Sequence, residues 1–343
     1  MITATDIKKV LVIRFSSIGD IMHMTPVFRC MKKDRPDIAI HFLTKKTMAP
    51  LTAHNPHIDS FHYYDDNWEE MLEELKVEQF DFVVDLHGVL RSRRVVKSLD
   101  KPHTSINKLT LQKLLLTKLK LNTMPDRHIS LRALDTVKVL GVSDDGGGLE
   151  LVIPEAAVVP LQDIPASHHL GFVAIVIGAA HHTKKMPVEQ LIQLCRQINY
   201  PIVLIGGKED TIAGESIAAQ DPVRIYNSCG KFSLLESADL IRKSKLVVSH
   251  DTGMLYIACA FRKQTLAIWG ATSPKLAVEP FYGSALNELQ RSALYENICL
   301  NLWCQPCTKY GGKSCPIGHF KCMRKLDTTM IAAKVHLRLG LLG

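Results

Sequence analysis

The feature that most constrains the fold of this chain is a repeated alternation of short, β-branched apolar runs with segments of helical periodicity. The run at residues 8–15 (KKVLVIRF) breaks into the loop 16–20 (SSIGD), after which apolar residues recur at helical spacing over 21–33. Further strands are predicted at 38–43 and 80–86. Strands that alternate with helices form parallel sheets, so the sequence predicts an α/β fold.

The alternation stops at residues 141–148 (GVSDDGGG), and three prolines follow before residue 169. A second series then predicts four strands and two helices in the next hundred residues. We predict a first Rossmann-like domain over 1–160, a second over 161–325, and a C-terminal helix in 326–343 that packs back on the first domain. The second series comprises strands at 172–177, 202–205, 245–249 and 265–269, and helices at 187–198 and 234–242.

Charge is unevenly distributed along this chain of 343 residues, whose formal net charge is +8. Residues 59–85 hold ten acidic side chains and one lysine, whereas residues 86–138 hold twelve lysines and arginines against three aspartates. The basic segment is a candidate surface for anionic partners, or the two segments are solvated faces that attract each other. Few aromatic residues interrupt the basic segment, which argues against nucleic-acid binding.

Export and membrane insertion are not expected from the apolar segments. The first apolar run is four residues long, and the longest, residues 170–180, is far below the roughly 20 residues of a membrane helix. Nine cysteines without an export signal are typical of reduced thiols. We therefore expect a cytoplasmic protein that contacts a membrane at most peripherally, for instance through the Leu/Lys-rich residues 106–121.

Ligands of open parallel sheets bind beyond the carboxyl ends of the strands, and each half offers one such loop. The first is 16–20, and the second is His250-Asp251-Thr252-Gly253-Met254 at the start of a helix. Neither is a dinucleotide or P-loop motif, which argues against a dehydrogenase or epimerase. The N–H groups of Thr252, Gly253 and Met254 instead suit a diphosphate; the alternative interpretation is that Asp251 and Thr252 are ordinary helix caps.

Four sequence strings resemble the bacterial heptosyltransferases of glycosyltransferase family 9. They are VLVIRFSSIGDIMHMTPVFRCMKKDRPD, DLHGVLRS, SHDTGMLYIACAF and WGATSP, and together they span most of the chain. The resemblance implies a GT-B fold, in which two Rossmann-like domains with parallel sheets face a central cleft. It also implies an inverting, metal-independent transfer from ADP-L-glycero-D-manno-heptose to the inner core of lipopolysaccharide, with lipid A-Kdo or a heptosylated core as acceptor. No cofactor is expected beyond this nucleotide sugar.

The resemblance assigns catalytic roles to two residues. Asp20 stands where the family motif S-S-x-G-D has its catalytic base, which takes the proton from the acceptor hydroxyl; Ser17 and Gly19 of the same motif would border the donor. Lys184 matches the lysine that contacts donor phosphate, with Lys185 as its substitute. Without the resemblance, the alternative interpretation is that Asp20 is an ordinary helix-capping aspartate and that Lys184 and Lys185 are an exposed pair with no specific role.

The remaining roles that the resemblance implies concern donor and acceptor. Ribose would be bound by Glu209 or Asp210, and Phe232 would border the adenine. Arginine and lysine pair well with the carboxylates and phosphates of a Kdo-lipid A acceptor. The candidate acceptor-binding residues are Lys45, Lys46, Arg91, Arg93 and Arg94.

Two features depart from the family pattern. Tyr256 occupies the position where the family commonly has histidine, so the donor could be another nucleotide sugar for a different envelope glycan, or the chain could be a non-catalytic binding homologue. The other feature is a C-terminal group of four cysteines that could hold structural zinc, remain reduced, or form a regulated disulfide. These are Cys304, Cys307, Cys315 and Cys322.

Overall fold

The computed structural model describes residues 6–341 and divides into two units. The first contains the chain up to Leu109 together with Arg127–Val152 and Gly283–Ala285, and the second contains Thr110–Asp126, Ile153–Tyr282 and the chain from Leu286 onward. Residues 1–5 of the predicted first domain and residues 342–343 of the predicted C-terminal segment lie outside the described residues. The predicted α/β class with parallel sheets is confirmed in both units.

The first unit contains a five-stranded parallel sheet with the order β3-β2-β1-β4-β5. β1 and β4 are buried along nearly their whole length, which explains their continuous apolar sequence. Its strands are β1 (Lys9–Ile13), β2 (Ala39–Lys45), β3 (Ser60–Tyr64), β4 (Phe82–Asp85) and β5 (His103–Ser105). Its helices are α1 (Ile18–Asp34), α2 (Ala49–Thr52), α3 (Trp68–Val77), α4 (Leu90–Leu99) and, later in the chain, α6 (Ile129–Leu134).

The second unit contains a six-stranded parallel sheet with the order β11-β10-β9-β6-β7-β8, a doubly wound arrangement. Its strands are β6 (Val173–Val176), β7 (Ile202–Ile205), β8 (Ile225–Asn227), β9 (Leu246–His250), β10 (Thr265–Ile268) and β11 (Tyr295–Ile298). Its helices are α5 (Thr110–Leu114), α7 (Val188–Gln197), α8 (Thr211–Ala218), α9 (Leu234–Lys243), α10 (Gly253–Ala260), α11 (Glu288–Leu294), α12 (Lys321–Arg324) and α13 (Thr328–Arg338).

The helix predicted within 326–343 is α13, and it belongs to the second unit. It packs against α7, and Ile331, Ala332 and Val335 are part of the apolar core beneath the second sheet. Burial of this face, rather than the weak helix propensity of its two threonines and valine, stabilises α13.

The Leu/Lys-rich segment 106–121 forms a short helix rather than a long one. α5 continues into a π-helical turn over Leu115–Leu119, and only Leu116 and Thr117 of that turn are buried. None of the described helices combines the length and the apolarity that crossing a bilayer requires.

Candidate active site

Asp20 lies in the first turn of α1, directly after the loop that follows β1. Its Oδ2 accepts hydrogen bonds from the Ser17 backbone N–H (3.2 Å) and hydroxyl (2.8 Å), and it contacts a guanidinium nitrogen of Arg14 at 2.7 Å. Burial alone would raise the pKa of Asp20, but the Arg14 charge and the Ser17 hydrogen bonds lower it to about 2. Asp20 therefore caps the helix and also presents a carboxylate that is ionised at neutral pH and one third exposed.

Arg14 was not predicted as a site residue. Its guanidinium is buried and donates to the backbone carbonyls of Ser16 (2.8 Å) and Leu86 (2.7 Å), so it links the loops that follow β1 and β4. The sequence did contain a signal for Arg14, because it is the one charged residue in the apolar run VLVIRF. A charge that is buried with such a run needs hydrogen-bond or ionic partners, so Arg14 could have been predicted to link neighbouring loops.

His87, which follows β4, is a second residue that the sequence prediction missed. Its Nδ1 accepts a hydrogen bond from the Phe15 N–H at 3.1 Å, so the neutral ring carries its proton on Nε2. Burial, reinforced by the positive charges of Arg14 and Lys108, lowers the pKa of His87 to about 3. His87 is therefore a neutral hydrogen-bond donor beside Asp20 at neutral pH.

The loop that holds His87 is organised by Asp85, the last residue of β4. This fully buried carboxylate accepts hydrogen bonds from the His87 and Gly88 N–H groups and from the Ser92 hydroxyl, all at 2.8–2.9 Å. Gly88 has a φ of +62°, which a residue with a side chain adopts only with strain. The DLHG motif thus fixes the start of α4 and the position of His87.

The predicted acceptor cations do not form a single cluster. Arg91 lies over the rings of Tyr64 (4.9 Å) and Phe15 (5.9 Å), beside the loop that leads to Asp20. Arg93 instead lines an open depression of about 680 Å³ with Lys97 and Lys101. The three others lie apart: Arg94 is exposed on α4, Lys45 ends β2, and Lys46 is exposed and pairs with Asp65.

In the second unit, Lys184 and Asp251 form a pair at the carboxyl end of the sheet. The lysine Nζ lies 2.7 Å from Asp251 Oδ2, and both side chains are largely buried. Asp251 also accepts hydrogen bonds from the Thr272 hydroxyl at 2.7 Å and the Tyr256 hydroxyl at 3.0 Å. Thr272 lies in the WGATSP motif, which had received no individual site residue.

Thr252 is the N-cap of α10, and Gly253 and Met254 are in its first turn. The N–H groups of a first helical turn have no intrahelical carbonyl to bond, and the helix dipole favours an anion there. All three residues are partly exposed. This turn, together with the Lys184 ammonium, has the chemistry of a phosphate site.

Lys185 and Asp210 form a second pair in the same unit. Lys185 Nζ is 2.6 Å from Asp210 Oδ1, and the Gly207 N–H donates to Asp210 Oδ2 at 3.0 Å. Glu209 is exposed at the surface, and Phe232 is partly buried in the loop before α9. Of the two predicted ribose ligands, Glu209 therefore has the freer carboxylate.

The C-terminal cysteines are free thiols. Among residues 6–341, the groups of three or more metal-ligating atoms within 4.8 Å of one another are His41 with His62 and Glu78, and Cys30 with Asp144 and Asp145. The four cysteines form no such group in this part of the chain, although Cys304 Sγ lies 3.7 Å from His319 Nε2.

Two units that each contain a parallel sheet with helices packed on it are the architecture of GT-B glycosyltransferases. The family model "Glycosyltransferase family 9 (heptosyltransferase)" matches residues 68–317, and the chain belongs to this family. The fold and family predictions are thereby confirmed, and the chain is a glycosyltransferase.

Individual relatives are distant over the full length. Lipopolysaccharide heptosyltransferase 1 of Campylobacter coli is 23% identical over 294 residues, which are 77% of this chain and 84% of that protein. The crystal structure of a family 9 glycosyltransferase from Veillonella parvula DSM 2008 is similar with a TM-score of 0.76 and 18% identity, covering 99% of both chains. The structure of E. coli ADP-heptose LPS heptosyltransferase II has a TM-score of 0.72 and 18% identity, covering 96% of this chain and 98% of that one.

Proposed function

We propose that this glycosyltransferase moves a heptose from ADP-L-glycero-D-manno-heptose to the inner core of lipopolysaccharide, with inversion at the anomeric carbon. The observation that carries the proposal is the pair of sites: an ionised Asp20 among cationic groups in the first unit, and Lys184 beside the α10 start in the second. The name of the Campylobacter coli relative supports lipopolysaccharide as the acceptor class.

Asp20 acts in this mechanism as the general base for the acceptor hydroxyl. Its low pKa makes it a weak base while the acceptor oxygen is still a neutral hydroxyl. As the bond to the anomeric carbon forms, the hydroxyl becomes strongly acidic, and the carboxylate accepts its proton. The Nε2–H of His87 is available to orient the acceptor by a hydrogen bond.

The acceptor's acidic groups would be bound by cations in the first unit. Arg91 is held in place by the rings of Phe15 and Tyr64, and an arginine fixed in this way loses little side-chain entropy on binding a carboxylate. Lys108 is part of the same electrostatic environment, since burial and the charge of Arg14 lower its pKa. We therefore assign Arg91 and Lys108 to the acidic groups of the acceptor near Asp20. The other predicted cations would bind acidic groups of the acceptor that lie further from Asp20: Lys45, Lys46, Arg93 and Arg94.

The leaving diphosphate would be neutralised by Lys184 and the first-turn N–H groups of Thr252, Gly253 and Met254. Fixed donors of this kind stabilise charge that develops in the transition state, typically by about 3–4 kcal/mol per group. Asp251 holds the ammonium of Lys184 in place. Of the two candidates Glu209 and Asp210, Glu209 is assigned to the ribose because Asp210 pairs with Lys185, and Phe232 is assigned to the adenine.

The direct test is transfer of heptose from the ADP donor to Kdo₂-lipid A or to a heptosylated core. Asp20→Asn should lower kcat by at least about 100-fold, the usual contribution of a general base, while ADP still binds. Asp34→Asn, at the other end of α1, is the matched control and should keep wild-type turnover. Equal rates for wild type and Asp20→Asn would exclude Asp20 as the base, and the anomeric configuration of the product tests inversion.

A different nucleotide sugar is the second candidate, because the Tyr256 hydroxyl contacts Asp251 at the position where the family commonly has histidine. A panel of ADP, UDP and GDP sugars, compared by thermal shift, separates the two. We expect ADP-heptose to stabilise the protein most. If only a UDP or GDP sugar stabilised the protein, that sugar nucleotide would be the donor and ADP-heptose would be excluded.

We also propose that the chain acts in the cytoplasm, with peripheral contact to the inner membrane through residues 110–121. Leu111, Leu119 and Leu121 are more than half exposed, and Lys118 between them is exposed too. Exposed leucines beside lysines suit an anionic bilayer surface. Flotation with anionic vesicles should recover the protein, and Leu119→Ser with Leu121→Ser should weaken that recovery. Equal recovery of the wild type and the double variant would show that residues 110–121 do not mediate membrane contact.

A further inference from the structure

We propose that His41, His62 and Glu78 form a binding site for a divalent transition-metal cation, represented by zinc, on the first sheet. The three side chains play no part in the proposed transfer. His41 lies in the first half of β2, His62 in the middle of β3 and Glu78 directly after α3, whereas Asp20 and His87 follow the carboxyl ends of β1 and β4. The proposal is therefore independent of the sugar that the enzyme uses.

The strand register brings the two histidines together. Leu43 pairs with His62 across β2 and β3, and His41 is two residues before Leu43, so both imidazoles project from the same face of the sheet. His41 Nδ1 and His62 Nε2 are 2.9 Å apart, and Glu78 Oε2 is 3.9 Å from His41 Nδ1. Two nitrogens and one carboxylate oxygen thus converge.

The spacing is close to that of a tetrahedral zinc site. With zinc–nitrogen bonds of about 2.0–2.1 Å, two ligand atoms are roughly 3.3 Å apart. The His41–His62 distance would have to increase, and the His41–Glu78 distance decrease, by about 0.5 Å each. Small side-chain rotations accomplish this, and a water molecule would complete the coordination.

The surroundings hold the imidazoles in a form that binds metal. Both rings are stacked on each other at 5.2 Å, and both contact Phe80 edge-on, which limits their rotation. Burial lowers the pKa of both histidines, and neutral imidazole is the ligating form. The charged groups that act on the pair are Lys9, Asp59, Glu74 and Glu78.

The proposed site is open to solvent at its carboxylate. The side chain of Glu78 is about one third exposed. His41 and His62 are largely buried, although β3 is the edge strand of the sheet and His62 also lines an open depression of about 400 Å³ with Glu74 and Lys46. A cation would therefore enter from the side of Glu78.

Lys9 is the competitor for this cation. Its Nζ lies 2.7 Å from Glu78 Oε2 and also donates to the Glu78 carbonyl at 2.9 Å. A bound metal must share or displace this ammonium. Removing the lysine should therefore tighten metal binding, whereas a purely structural role of the Lys9–Glu78 pair gives no such gain.

The test is titration of the metal-free, reduced full-length chain with Co²⁺, followed by calorimetry and visible absorption. Thiolate ligands give cobalt a strong near-ultraviolet charge-transfer band, so that band separates this site from the cysteines. We expect binding of one equivalent without the band. His62→Gln and Glu78→Gln should each weaken it by at least about 10-fold, and Lys9→Met should tighten it several-fold.

His103→Gln, an exposed histidine of the same unit, is the matched control and should bind as wild type does. Far-ultraviolet circular dichroism checks the fold of each variant, and Glu78→Gln changes a partly exposed group that the core does not need. Wild-type affinity in His62→Gln and Glu78→Gln would overturn the proposal. The proposal would also be overturned if the wild type, in a millimolar excess of Co²⁺, bound no cobalt without the thiolate charge-transfer band.

Discussion

Asp20 owes its ionisation to Arg14 and Ser17, which has a consequence for stability at acid pH. Because the pKa of Asp20 is about 2 in the folded chain and ordinarily 3.8, its interactions stabilise the fold above about pH 4 and are lost as pH falls toward 2. Wild type should exceed Asp20→Asn in the free energy of unfolding by about 1–2 kcal/mol at neutral pH, allowing for partial exposure.

Urea unfolding of both proteins at several pH values measures this difference. The gap should shrink as the pH approaches 2, since the wild-type carboxyl is then protonated as well. A gap that stays constant from neutral pH into this range would show that Arg14 does not depress the pKa of Asp20.

Tyr256 supports a buried carboxylate in the second unit. Its hydroxyl is 3.0 Å from Asp251 Oδ1 and 2.9 Å from the Val278 carbonyl. Tyr256→Phe removes these contacts without changing the ring, and it should destabilise the protein by about 1–2 kcal/mol. Urea unfolding measures the loss, with Tyr200→Phe, at a partly exposed tyrosine, as control. An unchanged midpoint would mean that Asp251 does not depend on this hydroxyl.

The sequence identified residues that occur in recognisable strings but not the partners that hold them. Asp20 and Asp251 were predicted in loops that follow strands, and Lys184 was predicted because it matches the family's phosphate-contacting lysine. Arg14, His87 and Thr272 were missed, because their roles depend on hydrogen bonds between loops that are distant in sequence. Similarly, Arg91 and Arg93 are two residues apart, and helical geometry turns them in different directions.

At the scale of elements, strands with long apolar runs were predicted and the edge strand β3 was not. Its sequence, SFHYY, lies within the acidic stretch 59–85, and its buried side chain is a histidine rather than an aliphatic residue. Only the register with β2 shows that His62 faces inward. Strands β5 and β8 are three residues long, too short for periodicity to detect.

Helix α13 offers a test of element packing with an internal control. Ile331 is fully buried against the second core, whereas Leu337 on the same helix is 65% exposed. Ile331→Ala should cost about 2–5 kcal/mol of unfolding free energy, because it leaves a cavity. Leu337→Ala should change it by less than about 0.5 kcal/mol. Equal effects of the two substitutions in urea unfolding would show that α13 is not anchored by this face.

At the scale of the whole molecule, the two units carry different parts of the proposed reaction, and ADP should therefore affect them differently. The proposed diphosphate ligands, Lys184 and the start of α10, belong to the second unit, and Asp20 belongs to the first. A ligand that binds only the folded state stabilises it by about 2.7 kcal/mol at 100 times its dissociation constant. We expect most of this protection where the nucleotide makes its contacts.

Hydrogen–deuterium exchange with saturating ADP should slow exchange most in residues 184–186, 207–210 and 252–256. Residues 14–20 should change less, because the nucleotide alone leaves the acceptor site without its ligand. Lys184→Met, which removes the ammonium beside Asp251, should abolish most of the protection, and Lys245→Met, at an exposed lysine directly before β9, is its matched control. Protection confined to residues 14–20 would place the nucleotide in the first unit and reverse the proposed division of roles.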